Sequence, residues 1–224
     1  MEVTFDNQSN VLSAQILTVH DGSVIYRIVT DEGLWSRDHT YLKDANPAVG
    51  EPTNVGVIHW KEKTFEIYGH RKRLSDIRRR PRNPLKKERF WRWAPDRKEY
   101  TVIYHNEKEW QVSTVSKSAD FARNANRFME ALLDGEVVAS FSVPYRPKLF
   151  GKLKPMVVNL ETLALEKDEV FLFLVFIYSE CKRQDKMVKK TLREVGKVFE
   201  CMYVPSQSQP FPALLFGHVA PSSG

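Results

Sequence analysis

The segment Arg71 to Lys87 concentrates more positive charge than any other part of this 224-residue chain: Arg71, Lys72, Arg73, Arg78, Arg79, Arg80, Arg82, Lys86 and Lys87 all fall within it. Side chains of this type bind phosphate, either on lipid headgroups or on nucleic acid. A run of the same kind also serves as a nuclear localisation signal. The ordinary role of such a run is a solvated loop that balances a more acidic body. Pro81 and Pro84 favour the irregular, loop-like reading. Between Arg71 and Lys98 the chain carries +10, against −4 for the remainder, so its net charge of +6 originates here.

Next to this run stand Phe90, Trp91, Trp93, Tyr100 and Tyr104, interleaved with Arg92 and Arg97. Aromatics beside arginines stack on nucleic-acid bases. In strands, however, alternate members turn inward, and core packing accounts for most such rings.

The other chemistry-bearing residues are sparse. The six histidines are His20, His39, His59, His70, His105 and His218, none at metal-pair spacing from another histidine or a cysteine. Ser36-Arg37-Asp38-His39 brings hydroxyl, carboxylate and imidazole together in sequence, but a catalytic triad is a spatial arrangement, and such proximity means little. Cys181 and Cys201 form neither a C-x-x-C pair nor a zinc pattern. Lys182 and Arg183 favour a lowered thiol pKa at Cys181, although burial as a small apolar residue is the commoner role. No G-x-S-x-G, H-E-x-x-H, P-loop or G-x-G-x-x-G occurs. These residues predict a protein without metal or cofactor that is not an enzyme. An unrecognised site in a barrel mouth is the remaining enzymatic reading.

The elements that must carry these residues are mostly strands. Gly22 to Thr30 alternates Val24, Tyr26 and Ile28 with Ile25, Arg27 and Val29. Val55 to Trp60 and Thr64 to Tyr68 flank Lys61-Glu62-Lys63 as a hairpin, and Arg89 to Trp93, Glu99 to Tyr104 and Glu109 to Thr114 read as a meander. Glu136 to Val143 places Val137, Ala139, Phe141 and Val143 on one face, after the turn signal Asp134-Gly135. Lys154 to Glu161 sets Met156, Val158 and Leu160 on one side. Ser118 to Leu133 reads as a short helix or loop followed by a strand from about Arg127. Strands at such spacing predict a barrel or sandwich.

Asp168 to Arg183 opens on acids, closes on bases and is apolar all round between them. That polarity favours a helix buried on every side, although a buried strand has the same periodicity. Its apolar run, Val170 to Tyr178, is shorter than the roughly 20 residues of a membrane span. A second helix is expected over 184–203, with the stripe Met187, Val188, Leu192, Val195, Val198, Phe199 and Met202. From 204 to 224 the Pro, Ser and Gln content predicts a loose tail in which Pro212 to Phe216 docks. Two cysteines and no basic, apolar leader predict an intracellular protein, cytoplasmic, nuclear or peripheral to a membrane.

The order of these elements resembles the tubby-like superfamily: tubby C-terminal domains, phospholipid scramblases and the plant LURP-one-related proteins. The likeness is nearest to a group of small tubby-like proteins of mushroom-forming fungi. It runs over residues 1 to 183 and rests on Met1 to Phe5, Gly22-Ser-Val-Ile-Tyr-Arg-Ile, Gly56-Val-Ile-His-Trp, Arg89-Phe-Trp-Arg-Trp with Glu99-Tyr100 and Glu109-Trp110, and Asp168 to Tyr178. It implies a closed antiparallel β-barrel of about 12 strands around a central hydrophobic helix at 168–183. The basic segment from Arg71 to Lys87 and the helix after Arg183 have no counterpart in that pattern; the segregated charge together with the likeness predicts a module that binds anionic phosphoinositides, a membrane surface or a protein partner through the basic loop at 71–87. The tubby phosphoinositide ligands have no residue-by-residue match here, and the scramblase cysteine-rich segment and calcium loop are absent. Nucleic-acid binding by the same loop is the alternative.

Overall fold

Alternate burial makes the first half of the chain a continuous antiparallel meander. The computed structural model describes residues 1–7, 10–33, 37–47, 53–81, 88–105, 109–114, 137–142, 156–161 and 167–202, the last nine by backbone alone. The chain divides into two units, Met1–Arg183 and Gln184–Gly224.

In the first unit, β1 (Glu2–Phe5), β2 (Ala14–Thr18), β3 (Val24–Glu32), β4 (Arg37–Asp44), β5 (Asn54–His59), β6 (Thr64–Ile67) and β7 (His70–Arg73) pair in sequence order. A second meander is built from β8 (Arg78–Arg79), β9 (Arg89–Trp91), β10 (Tyr100–His105), β11 (Glu109–Thr114), β12 (Val137–Ser142) and β13 (Val157–Leu160). The two meanders join where β1 pairs with β13, with Val3 opposite Val158, and the amino terminus of Met1 donates to the Leu160 carbonyl at 2.6 Å. The result is a 13-stranded sheet, antiparallel throughout. Its ladder begins at β7 and ends at β8, and no strand pairing links those two ends.

The expected loop at the basic segment is corrected over residues 71–79. They form β7, the short helix α1 (Leu74–Ile77) and β8, which are regular elements at the ends of the ladder. The hairpin turn Tyr68-Gly69, with φ of +47° and +79°, returns the chain from β6 into β7. Leu74 and Ile77, three apart, are both buried and anchor the segment. Arg82, Lys86 and Lys87 lie outside the described residues, as do Ser118 to Leu133 and the tail from 203 onward.

The inward face of the sheet is assigned as its pattern predicts at Met156, Val158 and Leu160, all buried. At β12 it is not. Val112 pairs with Ala139 while Ser113 pairs with Val137, so residue 138 is extra. This bulge turns Val137 to solvent and buries Val138 instead.

The long helix α2 spans Glu169–Met202. The segment over 168–183 is therefore a helix and not a fourteenth strand, but the separate helix expected from 184 is its continuation. No glycine or proline interrupts the chain near Arg183, and Glu180 and Arg183 pair one turn apart. Every residue from Val170 to Tyr178 is buried. Residues of the sheet reach this stretch from many strands: Tyr26 of β3 packs on Phe173, Phe65 of β6 on Tyr178, Trp91 of β9 on Tyr178, and Phe141 of β12 on Phe176. The sheet thus wraps the helix. Each such apolar side chain contributes about 1.5–3 kcal/mol on burial, most of which chain entropy offsets. In the second unit the helix continues with Met187, Val188 and Leu192 exposed.

Candidate functional site

The buried stretch of α2 is closed at each end by polar side chains, and the two ends differ in charge. At its start, Asp168 accepts a 2.7 Å hydrogen bond from the Tyr100 hydroxyl and lies 3.8 Å from the Arg97 guanidinium. Burial pushes the Glu169 carboxyl above the usual carboxylate range, opposed in part by its hydrogen bond to Tyr26. A cleft of about 330 Å³ opens here, lined by Tyr26, Trp93, Arg97, Asp168, Glu169 and Phe171 among others. Both carboxylates are taken up by tyrosines, so the arrangement anchors the first turn of the helix, where acids complement its dipole. Among the described residues it presents no nucleophile paired with a base.

Further along, Glu180 is fully buried. It accepts hydrogen bonds from Trp110 Nε1 at 3.1 Å and from Arg183 Nε and Nη2 at 2.8 and 2.6 Å. Facing another direction on the same turns is a cluster of cations on aromatic rings. The Trp60 indole, just after β5, stacks on Tyr178 at 5.5 Å with 15° between the planes. Arg37 lies over Trp60 at 5.5 Å, and Lys182 lies over Trp60 and Tyr178 at 5.3 and 5.7 Å. Arg78 sits over both Trp91 and Tyr178 at 5.5 Å and donates to the Tyr178 hydroxyl at 3.2 Å. Contacts of this kind hold a guanidinium or ammonium in place. Arg80 is exposed and Arg89 half-buried. Burial, and then the neighbouring charges of Arg80 and Arg78, pull the Arg89 guanidinium below the ordinary arginine value. Arg78, Arg80 and Arg89 thus lie within electrostatic reach of one another.

The sequence-predicted site residues divide. Arg78 joins the rim, with Arg80 next to it. Arg73 is exposed at the end of β7. Arg79 is committed to Glu99 through two hydrogen bonds of 2.8 and 2.6 Å and covers Phe90 at 4.1 Å. Lys72 donates to the Trp93 carbonyl at 2.8 Å and lies over its ring, while Arg71 donates to Thr64 Oγ1 at 2.9 Å. These three serve to tie the ends of the sheet as much as to carry charge. The aromatic row has the same character: Phe90, Trp91 and Tyr100 are buried, and the partly buried Trp93 and Tyr104 pack against the core. Cys181 is fully buried, in keeping with a packing role.

Arg37, Trp60, Arg89 and Lys182 are the members that sequence reasoning missed. Their separation along the chain gives no signal, because β4, β5, β9 and α2 meet only in the folded sheet. Two histidines were missed for the same reason. His39 and His59 are cross-strand partners on β4 and β5, with rings 4.9 Å apart.

Comparison with family models, with curated proteins and with solved structures finds no match for this chain. Among the described residues no helix is long and apolar enough to cross a membrane.

Proposed function

We propose that this chain is a non-enzymatic module that docks on anionic, phosphate-bearing membrane surfaces through the rim formed by Arg37, Arg78, Arg80, Arg89 and Lys182. The observation that carries this reading is the row of cations laid on aromatic rings, with Arg37 and Lys182 over Trp60 and Arg78 over Trp91 and Tyr178. A multiply charged phosphate headgroup engages several such cations at once. Each basic residue close to an anionic surface is worth about 1 kcal/mol, so five would support peripheral binding. The aromatic rings beneath them fix the cations in advance and so reduce the ordering cost of binding.

The reading includes the tubby-like kinship and a barrel closed around α2. Its support is the wrapped sheet, the helix buried from Val170 to Tyr178, and the meeting of Lys72 and Trp93 across the two ends of the ladder. Kinship of fold alone would not assign the ligand; the rim is what favours phosphate.

Flotation with vesicles of phosphatidylcholine, with and without a phosphoinositide, tests it at low and at physiological salt. The expected result is co-flotation only with the anionic vesicles, lost in Arg80→Ala combined with Lys182→Ala. Equal behaviour with both vesicles at low salt overturns it. Binding to a nucleic-acid duplex but not to vesicles, with a steep dependence on log salt, would favour the nucleic-acid alternative.

A further inference from the structure

The cross-strand histidine pair lies in a second cluster, formed by β4, β5 and the turn between β5 and β6. Residues directly opposite on antiparallel strands bring their Cβ atoms within about 5.5 Å. His39 and His59 occupy such positions. The four-residue turn from Trp60 to Lys63, which ends on Lys63 at φ +55°, returns Glu62 to the same place. One ligating atom from each of His39, His59 and Glu62 falls within 4.8 Å of the other two. In a four-coordinate zinc site, with bonds of about 2.0–2.1 Å, ligand atoms stand about 3.4 Å apart. Rotation of the Glu62 side chain, half exposed and 4.0 Å from Arg71, closes the difference.

The state of His59 gives a second, independent indication. Its Nε2 lies 3.0 Å from Glu66 Oε2, where the carboxylate accepts the ring proton. That fixes the tautomer and leaves Nδ1 with a lone pair. Nδ1 is buried and has no hydrogen-bond partner among the described residues. A buried acceptor without a donor is costly, and a metal ion would satisfy it. A carboxylate behind a histidine is also the arrangement that orients metal-ligating imidazoles.

We infer that His39, His59 and Glu62 form a binding site for a divalent transition-metal ion of the zinc type, with Glu66 as the positioning residue behind His59. Two imidazoles and one carboxylate select zinc, nickel or copper over magnesium and calcium, which prefer oxygen donors. Three protein ligands leave at least one position to water. The inference is independent of the membrane reading, because it uses none of the rim residues.

Calorimetric titration of the untagged, chelator-treated full chain with zinc tests it. The expected result is one saturable equivalent. Glu62→Gln and His39→Ala each weaken binding at least tenfold, and Glu66→Gln weakens it about 10- to 100-fold, whereas His20→Ala, far from the cluster in sequence and exposed, leaves it unchanged. Glu62 lies on an exposed turn, so its variant keeps the test interpretable if His39→Ala fails to fold. No saturable binding, or wild-type affinity in both Glu62→Gln and His39→Ala, overturns the site.

Discussion

The ring of Phe65 stacks on that of Trp91, with centroids 5.8 Å apart and 11° between their planes. Phe65 belongs to β6 and Trp91 to β9, and nine strands, β5 to β1 and then β13 to β10, separate them along the ladder. Contact between them requires the sheet to curl until its ends face each other. Tyr178 of α2 fills the angle between the two rings, edge-on to both. The rim is a consequence of this curl, since Arg78 comes from one end of the ladder and Trp60 from a strand near the other.

Gly56 on β5 lies directly against α2. A Cβ there would stand 3.1 Å from both Leu174 Cδ1 and Val170 Cγ1. Gly56→Ala is expected to cost about 1–3 kcal/mol, the usual penalty for overpacking a filled core, and Gly56→Val more. The midpoints of urea denaturation measure it. A neutral or stabilising Gly56→Val would show that the helix does not pack there.

Glu180 is a fully buried acid whose partner Arg183 is only 19% exposed on its side chain. Removing the carboxylate takes two hydrogen bonds from that half-buried guanidinium, and it also removes the acceptor of Trp110 Nε1. Glu180→Ala is therefore expected to destabilise the protein by about 3–5 kcal/mol, while the double replacement Glu180→Leu with Arg183→Met recovers much of the loss. Thermal melts of the single and double variants report the coupling.

The Glu169 carboxyl has a folded-state pKa above its ordinary value of 4.5, chiefly because it is desolvated. Native protein thus binds its proton more tightly than unfolded chain does. The group favours folding most below its ordinary value, and that contribution is lost as pH rises through the raised one. Glu169→Gln is expected to gain stability relative to the parent protein as pH increases from 4 to 7. Chemical denaturation at the two values checks the sign, and an advantage that shrinks with rising pH would contradict it.

The strands and the buried helix were legible because each carries its own local pattern. Met156, Val158 and Leu160 alternate, and Val170 to Tyr178 is apolar on every side. The basic segment was misread as a loop because only Leu74 and Ile77 mark its buried face among so many charges. Val137 was assigned inward because a bulge leaves no trace in the alternation. The histidine pair and the rim are products of register: His39 meets His59, and Arg37 meets Lys182 over Trp60, only after distant strands have found their partners.

The membrane reading presupposes a sheet wrapped around α2, and amide hydrogen exchange tests that arrangement most directly. The amides of Leu174 to Tyr178, deep within the helix, are expected to exchange only through global unfolding, with opening free energies equal to the full stability of the first unit. Exchange of these amides through local opening, while the strands of the sheet stay protected, would contradict it.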